Sequence, residues 1–294
     1  GIEFERILKM GRTEMQDAVP MTLGQEFEAF AATLTEEIER LNQMAKFFQE
    51  INMGATAIGT GINAAPGYAE LVTGKLSAIV GMEFIKATNL IEATPDTGSY
   101  VIYSSALKRL AIKLSKISND LRLLSSGPRC GFNEINLPAL QPGSSIMPGK
   151  VNPVIPEMMN EVCYKVIGND LTVTMASEAG QLQLNAMEPI IAEAILESIT
   201  YLSRAMDTMV DKCVDGITAN EDICHNLVMN SIGLVTALNP YIGYKNSAMI
   251  AKEALKTGKG VYELVLEHKI LPKEKLDEIL DPENMIAPHP YSKM

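Results

Sequence analysis

Apolar residues along this chain recur mostly at intervals of three and four. From Leu23, the positions Phe27, Phe30, Leu34, Ile38, Leu41, Met44, Phe48 and Ile51 fall along one face of a helix. Thr22 and Gln25 form a capping box at its start. The pattern predicts one helix of about 30 residues, about 45 Å long at a rise of ~1.5 Å per residue. A second helix is predicted from about Ser104 to Ser126 through Leu107, Leu110, Leu114, Ile117, Leu121 and Leu124, stopped by Gly127-Pro128. A third opens at Asn152-Pro153, with Asn152 as N-cap and Pro153 in the first turn. It carries Met158, Met159, Val162, Cys163, Val166 and Ile167, with Gly168 near its end. A fourth holds Ile191, Ile195, Ile199, Leu202, Met206, Met209 and Cys213.

No convincing strand separates these segments, so the fold class read from the pattern is all-α, an elongated bundle of long helices. Their apolar faces exceed what one slender bundle hides, which points to association with further copies of the chain. Beyond Gly216 the helices shorten, around Asn246–Lys256, Val261–His268 and Lys273–Leu280, with Gly and Pro between them. The expected division is a central helical bundle over 1–222 and a small C-terminal helical domain over 223–294.

Composition narrows the function. The net charge is −11 and no basic cluster occurs, which argues against nucleic acid and anionic membrane surfaces. No uninterrupted apolar run reaches membrane-spanning length. Cys130, Cys163, Cys213 and Cys224 show no metal-ligand or CxxC spacing, and His225, His268 and His289 are scattered. These cysteines read as reduced thiols of a cytoplasmic protein with no metal site. The first residues, Gly1-Ile2-Glu3-Phe4-Glu5-Arg6, are unlike a secretory signal, and the chain reads as beginning inside a larger protein.

The chemistry concentrates in Gly143-Ser144-Ser145-Ile146-Met147-Pro148-Gly149-Lys150-Val151-Asn152-Pro153. Two glycines permit backbone mobility, and a helix N-terminus follows, which favours an anion. Ser144 and Ser145 can act as proton acceptor and donor. A serine is a poor base unless a cation and N–H groups stabilise its alkoxide, and Lys150 is the cation at hand. Composition alone favours a Gly/Ser/Pro surface linker with an incidental lysine.

The whole string resembles the signature of the aspartase/fumarase superfamily. Gly11-Arg12-Thr13-Glu14-Met15-Gln16-Asp17-Ala18-Val19-Pro20 is similar to a second shared segment of that family, and Gly54-Ala55-Thr56-Ala57-Ile58-Gly59-Thr60-Gly61-Ile62-Asn63 to a third. Asp120–Arg129 and the tail Thr257–Met285 also match. The wording lies nearest the family's ammonia-lyases, since fumarases usually carry glycine where this chain has Ala55. The resemblance implies the family's long-helix bundle. It also implies reversible deamination of L-aspartate to fumarate and ammonia, no cofactor, and a homotetramer with shared active sites. It implies Ser144 as general base, Ser145 as donor to the reacting carboxylate, and Lys150, Asn152 and Thr13 as holders of the other carboxylate. Glu14 stands where fumarases carry His and other aspartases His or Gln; a carboxylate there suits the substrate ammonium. Glu157 matches a supporting acid. The family's N-terminal domain, which completes the site, is expected to be missing, leaving this chain inactive alone. A fumarase-type hydratase acting on fumarate and malate, and a non-catalytic helical scaffold, are the competing readings.

Overall fold

The computed structural model describes residues 1–286. In chain order its elements begin with strands β1 (Leu8–Thr13) and β2 (Gln16–Thr22) and helix α1 (Leu23–Ala45). Next come β3 (Glu50–Ile51), α2 (Tyr68–Val80), β4 (Ile85–Lys86), α3 (Gly98–Leu124) and β5 (Ile135–Asn136). The long pair α4 (Val154–Glu178) and α5 (Glu188–Lys212) leads to β6 (Thr218–Ala219), α6 (Glu221–Asn230) and α7 (Leu234–Thr257). The short helices α8 (Val261–Glu267), α9 (Lys273–Ile279) and α10 (Pro282–Met285) follow. The fold is all-α, a long-helix bundle whose strands, among the described residues, form only two-stranded ladders.

Several expectations need correction. A β-hairpin precedes α1 where no strand was expected: β1 and β2 pair antiparallel, with Thr13 opposite Gln16. The segment is short and Gly11 interrupts its alternation, so the period-2 signal is weak. Helix α1 ends at Ala45, about 35 Å long, and a 3₁₀ turn at Lys46–Gln49 and strand β3 replace its last predicted turns. Helix α4 runs through Gly168 to Glu178, because a single glycine costs only about 1 kcal/mol against the packing of a long helix. Its N-cap is Pro153 rather than Asn152, and no side chain caps it. The capping box at α1 is present, with Gln25 N–H donating to Thr22 Oγ1 and Thr22 N–H donating to Gln25 Oε1, both at 3.0 Å.

The chain divides into two compact units, each gathered from separate stretches. The first comprises 1–32, 123–138 and 216–294, and the second 33–122 and 139–215. Within the described part of the first unit, the hairpin packs its Leu8 and Met10 into one apolar core with Leu234, Leu238, Ile250, Leu264 and Leu276. Helix α7 breaks at Gly243 (φ 75°, ψ 158°), three residues after Pro240, so its second half starts near the predicted Asn246.

The second unit is cross-linked by polar groups. The buried Asp170 of α4 accepts from Ser104 Oγ at 2.9 Å and pairs with Lys108 at 2.5 Å, while Asn160 Nδ2 donates to Ser115 Oγ at 2.8 Å. These contacts set α3 antiparallel to α4. Asn169 Nδ2 donates to Ser198 Oγ at 3.1 Å and to Glu197 at 2.9 Å, joining α4 to α5. Glu37 of α1, 1% exposed, pairs with Arg109 at 3.0 Å and Lys113 at 2.5 Å of α3. Ile38, on the predicted apolar face of α1, is 63% exposed. The rest of that face, from Phe27 to Phe48, is half-buried, so the stripe is only partly covered by the chain's described residues.

Candidate active site

The Gly143–Pro153 string folds into a loop with a closed neck. Gly143 N–H donates to Lys150 O at 2.8 Å, and Asn152 Nδ2 donates to Gly143 O at 3.1 Å. Only glycine fits at 143, since a Cβ there would lie 2.4 Å from Lys150 O. Lys150 N–H donates to Met147 O at 3.2 Å, and Gly149 takes φ 81° to close that turn. Between the two ends of the neck, Ser145, Ile146, Met147, Pro148 and Gly149 are exposed, Ile146 by 83%.

Ser144 is half-buried at the neck, and its Oγ accepts the Ile146 N–H at 3.2 Å. A backbone donor aimed at a hydroxyl oxygen lowers the cost of its alkoxide. Lys150 is exposed. Asn152, expected as a helix cap, instead ties the neck, while its carbonyl accepts Val154 N–H at 2.9 Å. Glu157 is half-buried on the first turn of α4, its N–H donating to Pro153 O at 3.1 Å. The loop thus gathers Ser144, Ser145, Lys150 and Asn152 on one short segment of the second unit, with Glu157 just downstream.

Thr13 and Glu14 belong to the first unit. Thr13 ends β1, and Glu14 and Met15 form the two-residue hairpin turn with φ 52° and 65°. Both central residues at positive φ are what a type I′ turn requires, normally met by Asn-Gly. Each non-glycine residue in that region costs about 1–2 kcal/mol, and such strain collects at functional sites. Glu14 and Met15 are both exposed at the tip.

No motif in the sequence marks the groups that hold this hairpin. Lys9 is 2% exposed, with its Nζ 2.5 Å from Glu26 and 3.2 Å from Glu134, which is 0% exposed. Arg12 reaches Glu134 at 2.7 Å and lies over the Phe132 ring at 4.0 Å. A lysine enclosed by apolar Leu8 and Met10 is the signal that could have exposed this buried cluster. Beside it Cys224 donates to Glu134 O at 3.5 Å, and burial pushes its thiol up to about 12. Among the described residues, no group of three or more His, Cys, Asp or Glu side chains forms a metal-holding cluster.

The lyase family profile matches residues 2–168, and the profile of the fumarase C C-terminus matches 234–287. The chain belongs to this family, the aspartase/fumarase superfamily. It is 64% identical over 289 residues to the aspartate ammonia-lyase of Pseudomonas aeruginosa, covering 98% of this chain and 61% of that protein. A fumarate lyase:delta crystallin structure from Brucella melitensis matches with TM-score 0.93 and 58% identity, over 98% of this chain and 62% of that one. A class II fumarase structure from Schistosoma mansoni matches with TM-score 0.92 and 37% identity, over 98% and 64%. The chain spans about three fifths of the length of the curated relatives it matches.

Proposed function

We propose that the protein carrying this chain is an aspartate ammonia-lyase, and that the loop at Ser144 supplies its base. The observation that carries the reading is the closed neck, which sets Ser144 Oγ against the Ile146 N–H with Lys150 and Asn152 on the same short loop. The 64% identity to an ammonia-lyase, against 37% to a fumarase, favours deamination over hydration. Ser144 takes the proton from the L-aspartate carbon next to the carboxylate that Ser145 holds. That carboxylate carries the negative charge as its aci form, stabilised by the Ser145 hydroxyl. The carbon–nitrogen bond then breaks, ammonia leaves and the double bond of fumarate forms. Lys150, Asn152 and Thr13 hold the second carboxylate, and Glu14 faces the substrate ammonium with Glu157 in support. None of these steps calls on a metal or cofactor.

The protein is read as a homotetramer whose active sites draw on several subunits. Uncovered apolar side chains support this: Leu171 and Met175 on α4 and Leu196 on α5 are 63%, 60% and 63% exposed. The test is turnover by the full-length protein of L-aspartate against L-malate, with mass in solution measured alongside. Fumarate from L-aspartate at a rate far above that from malate is expected, lost in Ser144→Ala. Equal or greater turnover of malate would replace this reading with a hydratase, and no turnover of either would favour a scaffold. The 294-residue chain by itself is expected to be inactive, with the rest of its site supplied by the remainder of the protein.

A further inference from the structure

We propose that Glu134 is a positioning residue for the substrate pocket, setting the hairpin that presents Thr13 and Glu14 through buried ion pairs to Lys9 and Arg12. The proposal rests on the reading of Thr13 and Glu14 as substrate contacts.

Glu134 is itself held rigidly. Its N–H donates to Leu124 O at 2.9 Å, and its carbonyl accepts Asn220 N–H at 2.9 Å, just before the β5–β6 pairing. Its side chain is wholly buried, and both carboxylate oxygens lack a well-directed hydrogen-bond donor. They are met instead by Lys9 at 3.2 Å and Arg12 at 2.7 Å. A buried carboxylate without directed hydrogen bonds is tolerated only with counter-charges beside it.

Lys9 and Arg12 are three positions apart, so a regular strand would send them to opposite faces. The register of the hairpin shifts between Met10 and Arg12, where Ala18 and Val19 oppose Gly11 alone. A Cβ at Gly11 would lie 2.8 Å from Val19 O, so glycine permits the irregularity. The added twist lets both cations converge on one carboxylate. Arg12 directly precedes Thr13, so fixing Arg12 fixes the last strand residue before the turn. The other arm is held from the α6–α7 connection, where Ser231 Oγ donates to Asp17 Oδ2 at 2.7 Å. A strained turn with Glu14 and Met15 at positive φ keeps one conformation only if both arms are anchored.

Each cation keeps a second partner if Glu134 loses its charge: Lys9 retains Glu26, and Arg12 retains the Phe132 ring and the Met10 carbonyl. Glu134→Gln is therefore expected to fold. In the full-length protein it should raise KM for L-aspartate about 10-fold, with kcat falling less than about 3-fold. Glu134→Asp, which keeps the charge but withdraws it by a methylene, should give an intermediate KM. In a background carrying both Thr13→Val and Glu14→Gln, Glu134→Gln should change KM less than about 2-fold, since the effect passes through these two residues. Amide hydrogen exchange of Arg12–Asp17 should accelerate in Glu134→Gln while α8 and α9 keep their protection. A fall in Tm with unchanged KM and unchanged hairpin exchange, or additive effects with the Thr13→Val, Glu14→Gln pair, would overturn the proposal. If the unmutated protein leaves L-aspartate intact, the functional reading fails on its own. The hairpin exchange then still decides whether Glu134 positions the turn.

Discussion

The hairpin turn at Glu14 and the loop at Ser144 present candidate site residues in opposite ways. The turn is short and strained, and it projects from arms braced by buried charge at Glu134 and by the Ser231–Asp17 hydrogen bond. The loop is longer and tied only at its neck, with the residues between Ser145 and Gly149 exposed. One presets a geometry, and the other holds its ends and leaves its middle free. A braced turn suits residues that must keep one geometry, and a loop tied only at its neck suits residues that must move.

The largest effect expected on this contrast comes from the loop. Ser144→Ala should lower kcat about 1,000-fold or more if, as proposed, its hydroxyl is the proton acceptor. KM changing with kcat preserved would take the base role away from Ser144. Next in size is Gly143→Ala, which should cost about 100-fold in kcat/KM. Its Cβ would meet Lys150 O at 2.4 Å and force the neck open. Full activity in this variant would show that the neck does not matter to turnover.

The turn should respond in stability before activity. Met15→Gly relieves one of the two left-handed residues and should stabilise the protein by about 1 kcal/mol, seen as a higher Tm. A lower Tm would mean that the Met15 side chain contributes more than the strain costs.

The smallest effect is a thiol readout of the brace. The ordinary cysteine value of 9.0 is raised by burial to about 11 for Cys163 and Cys213 and to about 12 for Cys224, where the neighbouring Glu134 charge adds to it. The folded state therefore favours the neutral thiols. The stability they contribute is present below about pH 9 and lost as pH rises from there towards 12. At about pH 8 the exposed Cys130 should react quickly with a thiol reagent and the three buried cysteines slowly. Faster labelling of Cys224 in Glu134→Gln would report that the brace has loosened, whereas identical labelling would show that the cluster stays shut.

The two units differ in how far the sequence announced them. The apolar period located α3, α4 and α5 and the short helices after Val261, because a buried stripe leaves a repeat that local residues carry. The full wording of the Gly143–Pro153 string marked the candidate loop, although its neck was invisible, since the neck joins a backbone pair that any residues could make to an Asn152 amide whose partner only the fold supplies. The period misled at α1. Its apolar stripe remains partly uncovered, with Ile38 out and Glu37 in, because Glu37 finds Arg109 and Lys113 on α3. Charge partners distant in sequence leave no period at all.

By itself the sequence determined the helical class, the capping box at Thr22–Gln25, the family and the loop that carries Ser144 and Lys150. These depend on neighbours within a few residues, or on a wording long enough to be specific. Tertiary structure decided the rest. It assembled the first unit from three separate stretches, enclosed Lys9 and Glu134 together, and turned Asn152 from a helix cap into the clasp of a loop. The physical reason is the same in each case. A side chain's partner is set by where the chain returns in space, and a buried charge or amide is tolerable only once that partner has arrived.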